Sequence, residues 1–165
     1  MSGSPPILGR LEPVPLRTVW SREDHGFTPW LAEPANLDLL AATLGPKLEL
    51  EGTETRIGPF RADIFCREVC EDRLVLIENQ LERTDHTHLG QLITYMAGLD
   101  AATIVWIAAE FTEEHCAALD WLNVATDDRF RFFGLEVQVW RIGDFDEGSG
   151  VPNRVAAERV DQAGT

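Results

Sequence analysis

Residues 103–109, TIVWIAA, form an unbroken apolar run rich in β-branched side chains. A strand of this kind shows no polar face, so it has to be covered on both sides, which places it inside a sheet with helices above and below. Neighbouring segments supply those helices. Asp85 opens one that runs to about Gly98, and Thr112 caps another that ends near Ala125, with Glu113 and Glu114 set against the positive end of its dipole. Upstream, KLELEGT (47–53) alternates apolar and polar residues as a half-buried strand does. PFRADIFC (59–66) and DRLVLIENQL (72–81), joined by the charged loop REVCE, read as an antiparallel meander, and GLEVQVWRI (134–142) is a last alternating strand. Ahead of the strands, FTPWLAEPANLDLLAATLG offers Thr28 as N-cap and Pro29 at the first helical position, with Pro34 splitting the helix and Gly45–Pro46 ending it. The order α-β-β-β-α-β-α-β predicts an α/β fold: one mixed central sheet flanked by helices.

The 165 residues suit a single domain. Prolines at positions 5, 6, 13 and 15 make residues 1–19 an irregular N-terminal arm, residues 20–143 the folded domain, and residues 144–165 an acidic and polar tail, docking segment or linker. No apolar run approaches the roughly 20 residues of a membrane span, so no membrane partner is expected. The N-terminus lacks a secretory pattern, and Cys66, Cys70 and Cys116 are too irregularly spaced for a disulfide framework; reduced thiols and a cytoplasmic location are the expectation. Zinc is the weaker alternative, because Cys66 and Cys70 lack a CxxC spacing. A net charge of −14 with a single lysine argues against tight, autonomous DNA binding. It leaves DNA reached through a homodimer, a second domain or a metal.

The strand at 72–81 ends its Val-Leu-Ile run on Glu78, Asn79 and Gln80. Residues two apart share a face of a strand, so Glu78 and Gln80 point together with Asn79 opposite, while Asp63 shares its face with Arg61 and Phe65. In a meander Asp63 and Glu78 meet at one end of the sheet. Two adjacent carboxylates repel unless a cation lies between them, and Mg²⁺ suits such a site. His88, Gln91 and Tyr95 recur at i, i+3, i+7 and form a polar stripe on one face of the next helix, with Leu89, Ile93 and Met96 on an apolar face. Each has a plainer role open to it: a solvated stripe, an Arg61–Asp63 ion pair, Asp85 as only an N-cap. Trp30, Trp106, Trp121 and Trp140 read as core residues, His86 as exposed.

Asp63, the Glu78-x-Gln80 triplet and Gln91-x-x-x-Tyr95 together resemble the PD-(D/E)XK nuclease superfamily, the last element being similar to the QxxxY motif of its RecB-like members. FTPWLAE, IGPFRADI, IENQLERTDHTHLGQLITY, EEHCAALDWLN and FFGLEVQVWRI resemble a family of bacterial PD-(D/E)XK-like proteins over about residues 20–142. The resemblance implies a restriction-endonuclease-like αβββαβ core and Mg²⁺-dependent hydrolysis of DNA, with Mn²⁺ as substitute, in restriction, phage defence or repair. By the same resemblance Asp63, Glu78 and the carbonyl of Asn79 hold the ion, an acid from the first helix (Glu33, with Glu54 second) assists, and Gln80 orients the attacking water. Gln80 stands where the superfamily has lysine, so it supplies hydrogen bonds but no charge, and His88 or Arg61 is the candidate for the missing cation. The missing lysine and the acidic charge support an alternative, a catalytically silent module that binds a protein partner. A homodimer or a larger defence or repair assembly fits either reading.

Overall fold

A computed structural model describes residues 10–143 and 155–159. Its centre is a mixed sheet ordered β1-β6-β5-β4-β3-β2, with β7 also paired to β6. The strands are β1 (Arg10–Val14), β2 (Leu48–Ile57), β3 (Phe60–Glu68), β4 (Arg73–Arg83), β5 (Thr103–Glu110), β6 (Arg131–Gly143) and β7 (Val155–Arg159). The helices are α1 (Leu16–Val19), α2 (Thr28–Leu31), α3 (Pro34–Leu44), α4 (His86–Leu99) and α5 (Glu113–Ala125), with one π-helical turn at Glu23–Phe27. From α3 onward the chain runs α-β-β-β-α-β-α-β, which contains the expected αβββαβ core.

The strand TIVWIAA lies at the middle of the sheet, where Ile104, Val105 and Trp106 are wholly buried. Its two faces feed separate cores. Val105 and Ile107 join Ile64, Ile77 and the α2–α3 side chains Leu31, Leu37 and Leu40. Ile104 and Trp106 join Phe65, Leu76, Leu92 and Met96 of α4 and Leu119 of α5. Each such aliphatic or aromatic side chain contributes about 1.5–3 kcal/mol when fully buried, so the alternation along β4 and β5 fixes which helix lies on which face. The meander β2-β3-β4 is antiparallel, while α4 and α5 carry the chain across to make β4-β5 and β5-β6 parallel. Asp85 caps α4 by accepting from His88 N, and Thr112 caps α5 by accepting from His115 N. Buried His115 ties these two helix starts together: its Nε2 lies 2.9 Å from His86 Nδ1 and its Nδ1 2.8 Å from the Thr84 and Thr112 hydroxyls. Near the far end of α4, Gly98 faces the ring of Phe60 so closely that an added Cβ would fall 2.2 Å from Cζ.

Several expectations are corrected. Residues 10–14 are not irregular; they pair antiparallel with β6, and Pro13 is tolerated there opposite Trp140 in a short strand at the end of the sheet order. Thr28 is not an N-cap, because the π-helical turn leads directly into α2 and leaves no exposed helix start; its hydroxyl is buried and accepts from Asn79 Nδ2. Within the expected tail, residues 155–159 form β7, antiparallel to β6. Residues 1–9, 144–154 and 160–165, which complete the arm and tail, lie outside the described residues. Trp106 is core, but Trp121 is 66 % exposed because it lies on the solvent side of α5. Ile93 likewise is 43 % exposed, the buried stripe of α4 running through Leu92 and Met96 instead.

Candidate active site

The β3–β4 ladder pairs Ile64 with Ile77 and Glu68 with Arg73. One step beyond its last pair, where the strands begin to separate, Asp63 and Glu78 project from the same face. The backbone N–H of Asn79 donates to Asp63 Oδ2 at 2.7 Å, which locks the two strand ends together. Glu78 is 7 % exposed, and its Oε1 is buried without a hydrogen-bond partner among the described residues. Burial pushes the Glu78 carboxyl up to about 9, and the charge of Asp63 adds to the rise. Burial likewise lifts Asp63 to about 7, against the hydrogen bond from Asn79 and with Glu54 adding to it.

These two acids lie in an open pocket of about 440 Å³, together with Glu23, Asp24 and Glu54 and the arginines Arg17, Arg22 and Arg61. Each arginine is engaged by one of the other acids. Arg17 meets Glu23 at 2.8 Å, Arg22 meets Asp24 at 2.6 Å and Arg61 meets Glu54 at 2.8 Å. Asp63 and Glu78 are thus left without a cation among the described residues, although five carboxylates face three guanidinium groups. Glu54 adopts φ +50°, and the β2–β3 ladder passes from Thr53↔Ile64 to Thr55↔Ala62 around it. A left-handed glutamate costs about 1–2 kcal/mol, and here it occupies the register position facing Asp63.

A divalent ion fits this chemistry. The orphaned Glu78 oxygen is a free hard ligand, and two acids with raised pKa values gain most from a cation between them. Among the described residues no three His, Cys, Asp or Glu side chains enclose a common point, so an ion would take its other ligands from a backbone carbonyl and water. Mg²⁺ is commonly held in this way, by one or two carboxylates with several waters retained.

The remaining expected residues divide. Asn79 lines the pocket, and its side-chain amide donates to Thr28 Oγ1 at 2.9 Å. His88 and Gln91 of α4 line the pocket from above, and Gln91 Nε2 donates to the Tyr95 hydroxyl at 3.1 Å. Tyr95 does not line it; its ring packs edge-on against Phe60, with centroids 5.4 Å apart. Gln80 does not line it either. Its Nε2 donates to Asp85 Oδ2 at 2.7 Å and to the Arg83 carbonyl at 2.9 Å, which ties the amide nitrogen to the start of α4. Glu33 is exposed at the junction of α2 and α3, where its carbonyl accepts from the Asn36 and Leu37 N–H groups, and it does not line the pocket. Glu23, in the turn ahead of α2, lines the pocket, anchored by the backbone N–H of Leu81 at 2.9 Å. Arg61 pairs with Glu54, not Asp63. No sequence signal singled out Glu23, since a π-helical turn has no periodicity to read. The thiols show no shared site: Cys66 is buried and Cys70 exposed, and burial pushes the Cys66 thiol up to about 12.

No protein-family model matches the chain, and no curated protein matches it. Among solved structures it is similar to a repair endonuclease from Pyrococcus abyssi, at 16 % identity and a TM-score of 0.47 over 63 % of this chain and 47 % of that one. It is similar to EndoMS in a complex with double-stranded DNA, at 19 % identity and a TM-score of 0.45 over 62 % and 44 % of the two chains. It is also similar to Pyrococcus furiosus SfsA in complex with Ca²⁺, at 16 % identity and a TM-score of 0.39 over 70 % and 62 %. The chain spans less than half the length of the first two of these proteins, and at this level of likeness its function is to be read from its own site.

Proposed function

We propose that the chain is a divalent-metal-dependent nuclease that hydrolyses phosphodiester bonds in DNA. One observation carries the reading: Asp63 and Glu78 are brought together at the mouth of β3 and β4 while every arginine lining the pocket is paired to another acid. Asp63, Glu78 and the Asn79 carbonyl would hold Mg²⁺ or Mn²⁺, and Glu54 stands next to them. The ion would supply a water of lowered pKa and neutralise charge that builds on the phosphate. The chain's own groups do the rest. Asn79 N–H fixes Asp63, Thr28 fixes the Asn79 amide, and Gln91 borders the place where a phosphodiester would lie. Restriction, phage defence or repair is the proposed setting, in the cytoplasm. DNA binding would be weak or assisted, through a homodimer or a larger assembly.

The test is nicking of a supercoiled plasmid with Mg²⁺ or Mn²⁺. Wild type should cut and Glu78→Ala should not; cutting that persists in the variant, or no cutting at any salt concentration, would refute the proposal.

The side chain of Gln80, which stands at the usual lysine position and is tied to Asp85, favours a second reading: a silent module that binds a protein partner. Calorimetry separates the two, because the silent module gives no Mg²⁺ or Mn²⁺ heat that vanishes in Asp63→Ala.

A further inference from the structure

His88 reaches back from the first turn of α4 to the residue that caps the helix. Its ring Nδ1 lies 3.0 and 3.1 Å from the two carboxylate oxygens of Asp85. Asp85 Oδ1 also accepts from His88 N at 2.9 Å, and Oδ2 from Gln80 Nε2 at 2.7 Å. The backbone and ring hydrogen bonds from His88 hold the Asp85 carboxyl below its ordinary value, so it is an acceptor only. A carboxylate that only accepts places the ring proton on Nδ1, which leaves Nε2 as the ring's basic nitrogen. The side chain is 30 % exposed and lines the pocket that holds Asp63 and Glu78. Helix capping requires only the Asp85–His88 N bond; it does not account for the ring contact or for Gln80 on the second oxygen.

We propose that His88 is the base of this site, accepting a proton at Nε2 from the attacking water, and that Asp85 and Gln80 are positioning residues that set its ring. The proposal rests on the nuclease reading. In the step, a water O–H gives its proton to Nε2 as the water oxygen bonds to phosphorus. The bond from phosphorus to the departing sugar oxygen breaks, that oxygen takes a proton from solvent, and the imidazolium later returns its own to solvent. Gln80 cannot take this part, since an amide has no nitrogen lone pair basic enough to accept the proton. The strand position of the usual lysine is therefore used at one remove, through Asp85, on a helix-borne imidazole.

The experiment uses the full chain, Mg²⁺ and supercoiled plasmid. His88→Ala should lower kcat by about 10²–10⁴-fold, the range of a lost general base, and change KM for DNA far less. Added imidazole should restore part of that rate in His88→Ala and none in Glu78→Ala. His88→Gln keeps a donor for Asp85, and so the helix start, yet should be equally slow. Metal-free ¹⁵N NMR at pH 8.5 should show the Nδ1–H tautomer for His88, shifting toward Nε2–H in Asp85→Asn. Wild-type rates in His88→Ala beside an inert Glu78→Ala would overturn the base and leave the metal reading standing. An Nε2–H tautomer in wild type would overturn it without any cleavage assay. A wild type that never cuts removes the nuclease reading and this step with it.

Discussion

Glu78 Oε1 is buried and unpartnered, and that single atom sets two opposed expectations. Glu78→Gln keeps the shape and removes a charge that burial and Asp63 both disfavour. The metal-free variant should be more stable than wild type at pH 8, by about 1–3 kcal/mol in urea denaturation, while losing metal-dependent cutting. The same pair fixes a pH dependence. Both carboxyls titrate higher in the folded chain than their ordinary values of 3.8 and 4.5, to about 7 for Asp63 and about 9 for Glu78. Between those limits the folded state holds more protons than the unfolded one, so their contribution to stability falls as pH rises. Wild type should lose stability relative to Glu78→Gln steadily from about pH 4 to about pH 9, and saturating Mg²⁺ should remove much of that slope. Parallel profiles for the two proteins would contradict the buried, adjacent placement. At this scale the sequence pointed to Asp63 and Glu78 because strand alternation is local geometry. It offered Glu54 only as a second choice behind Glu33 and did not reveal Glu23, because their positions depend on a left-handed backbone and a π-helical turn. Nor did it reveal where the Gln80 amide goes, since a side-chain rotamer is chosen by partners distant from the strand pattern.

Among the elements, those with a strong hydrophobic period stood out in the chain: the meander, α4, β5, α5 and β6. β1 did not, because prolines mask an edge strand whose partner lies more than a hundred residues away. The turn at Glu23–Phe27 and α2 matter more than their lengths suggest, since Thr28 supports β4 from beneath by accepting from Asn79 Nδ2. Thr28→Val should leave that buried amide donor unpaired and lower stability by about 1–3 kcal/mol in chemical denaturation, whereas Thr28→Ser should keep most of it. Reduced cutting by Thr28→Val under conditions where it remains folded would show that the α2–β4 contact also aligns the Asn79 backbone.

For the whole molecule, the charge of −14 limits how DNA would be held under the proposed function. The pocket presents only Arg17, Arg22 and Arg61, each already paired, so few phosphates can be neutralised and few counterions released. Fluorescence anisotropy with a duplex should give a log–log salt slope shallower than about −3, and affinity should rise when Ca²⁺ is added as a non-cleaving ion. A slope near −6 or steeper would mean a basic surface contributed by another copy or partner. The relation between helix and sheet has a further consequence, set by the absence of a side chain at Gly98. Its hydrogen atoms are all that separates the α4 backbone from the Phe60 ring. Gly98→Ala would force the ring to swing outward and release Tyr95, tipping the C-terminal end of the helix while the Asp85 anchor holds the other. A methyl group near the opposite end of the helix from Asp85 would then act as a lever on how closely Gln91 hangs over Asp63 and Glu78.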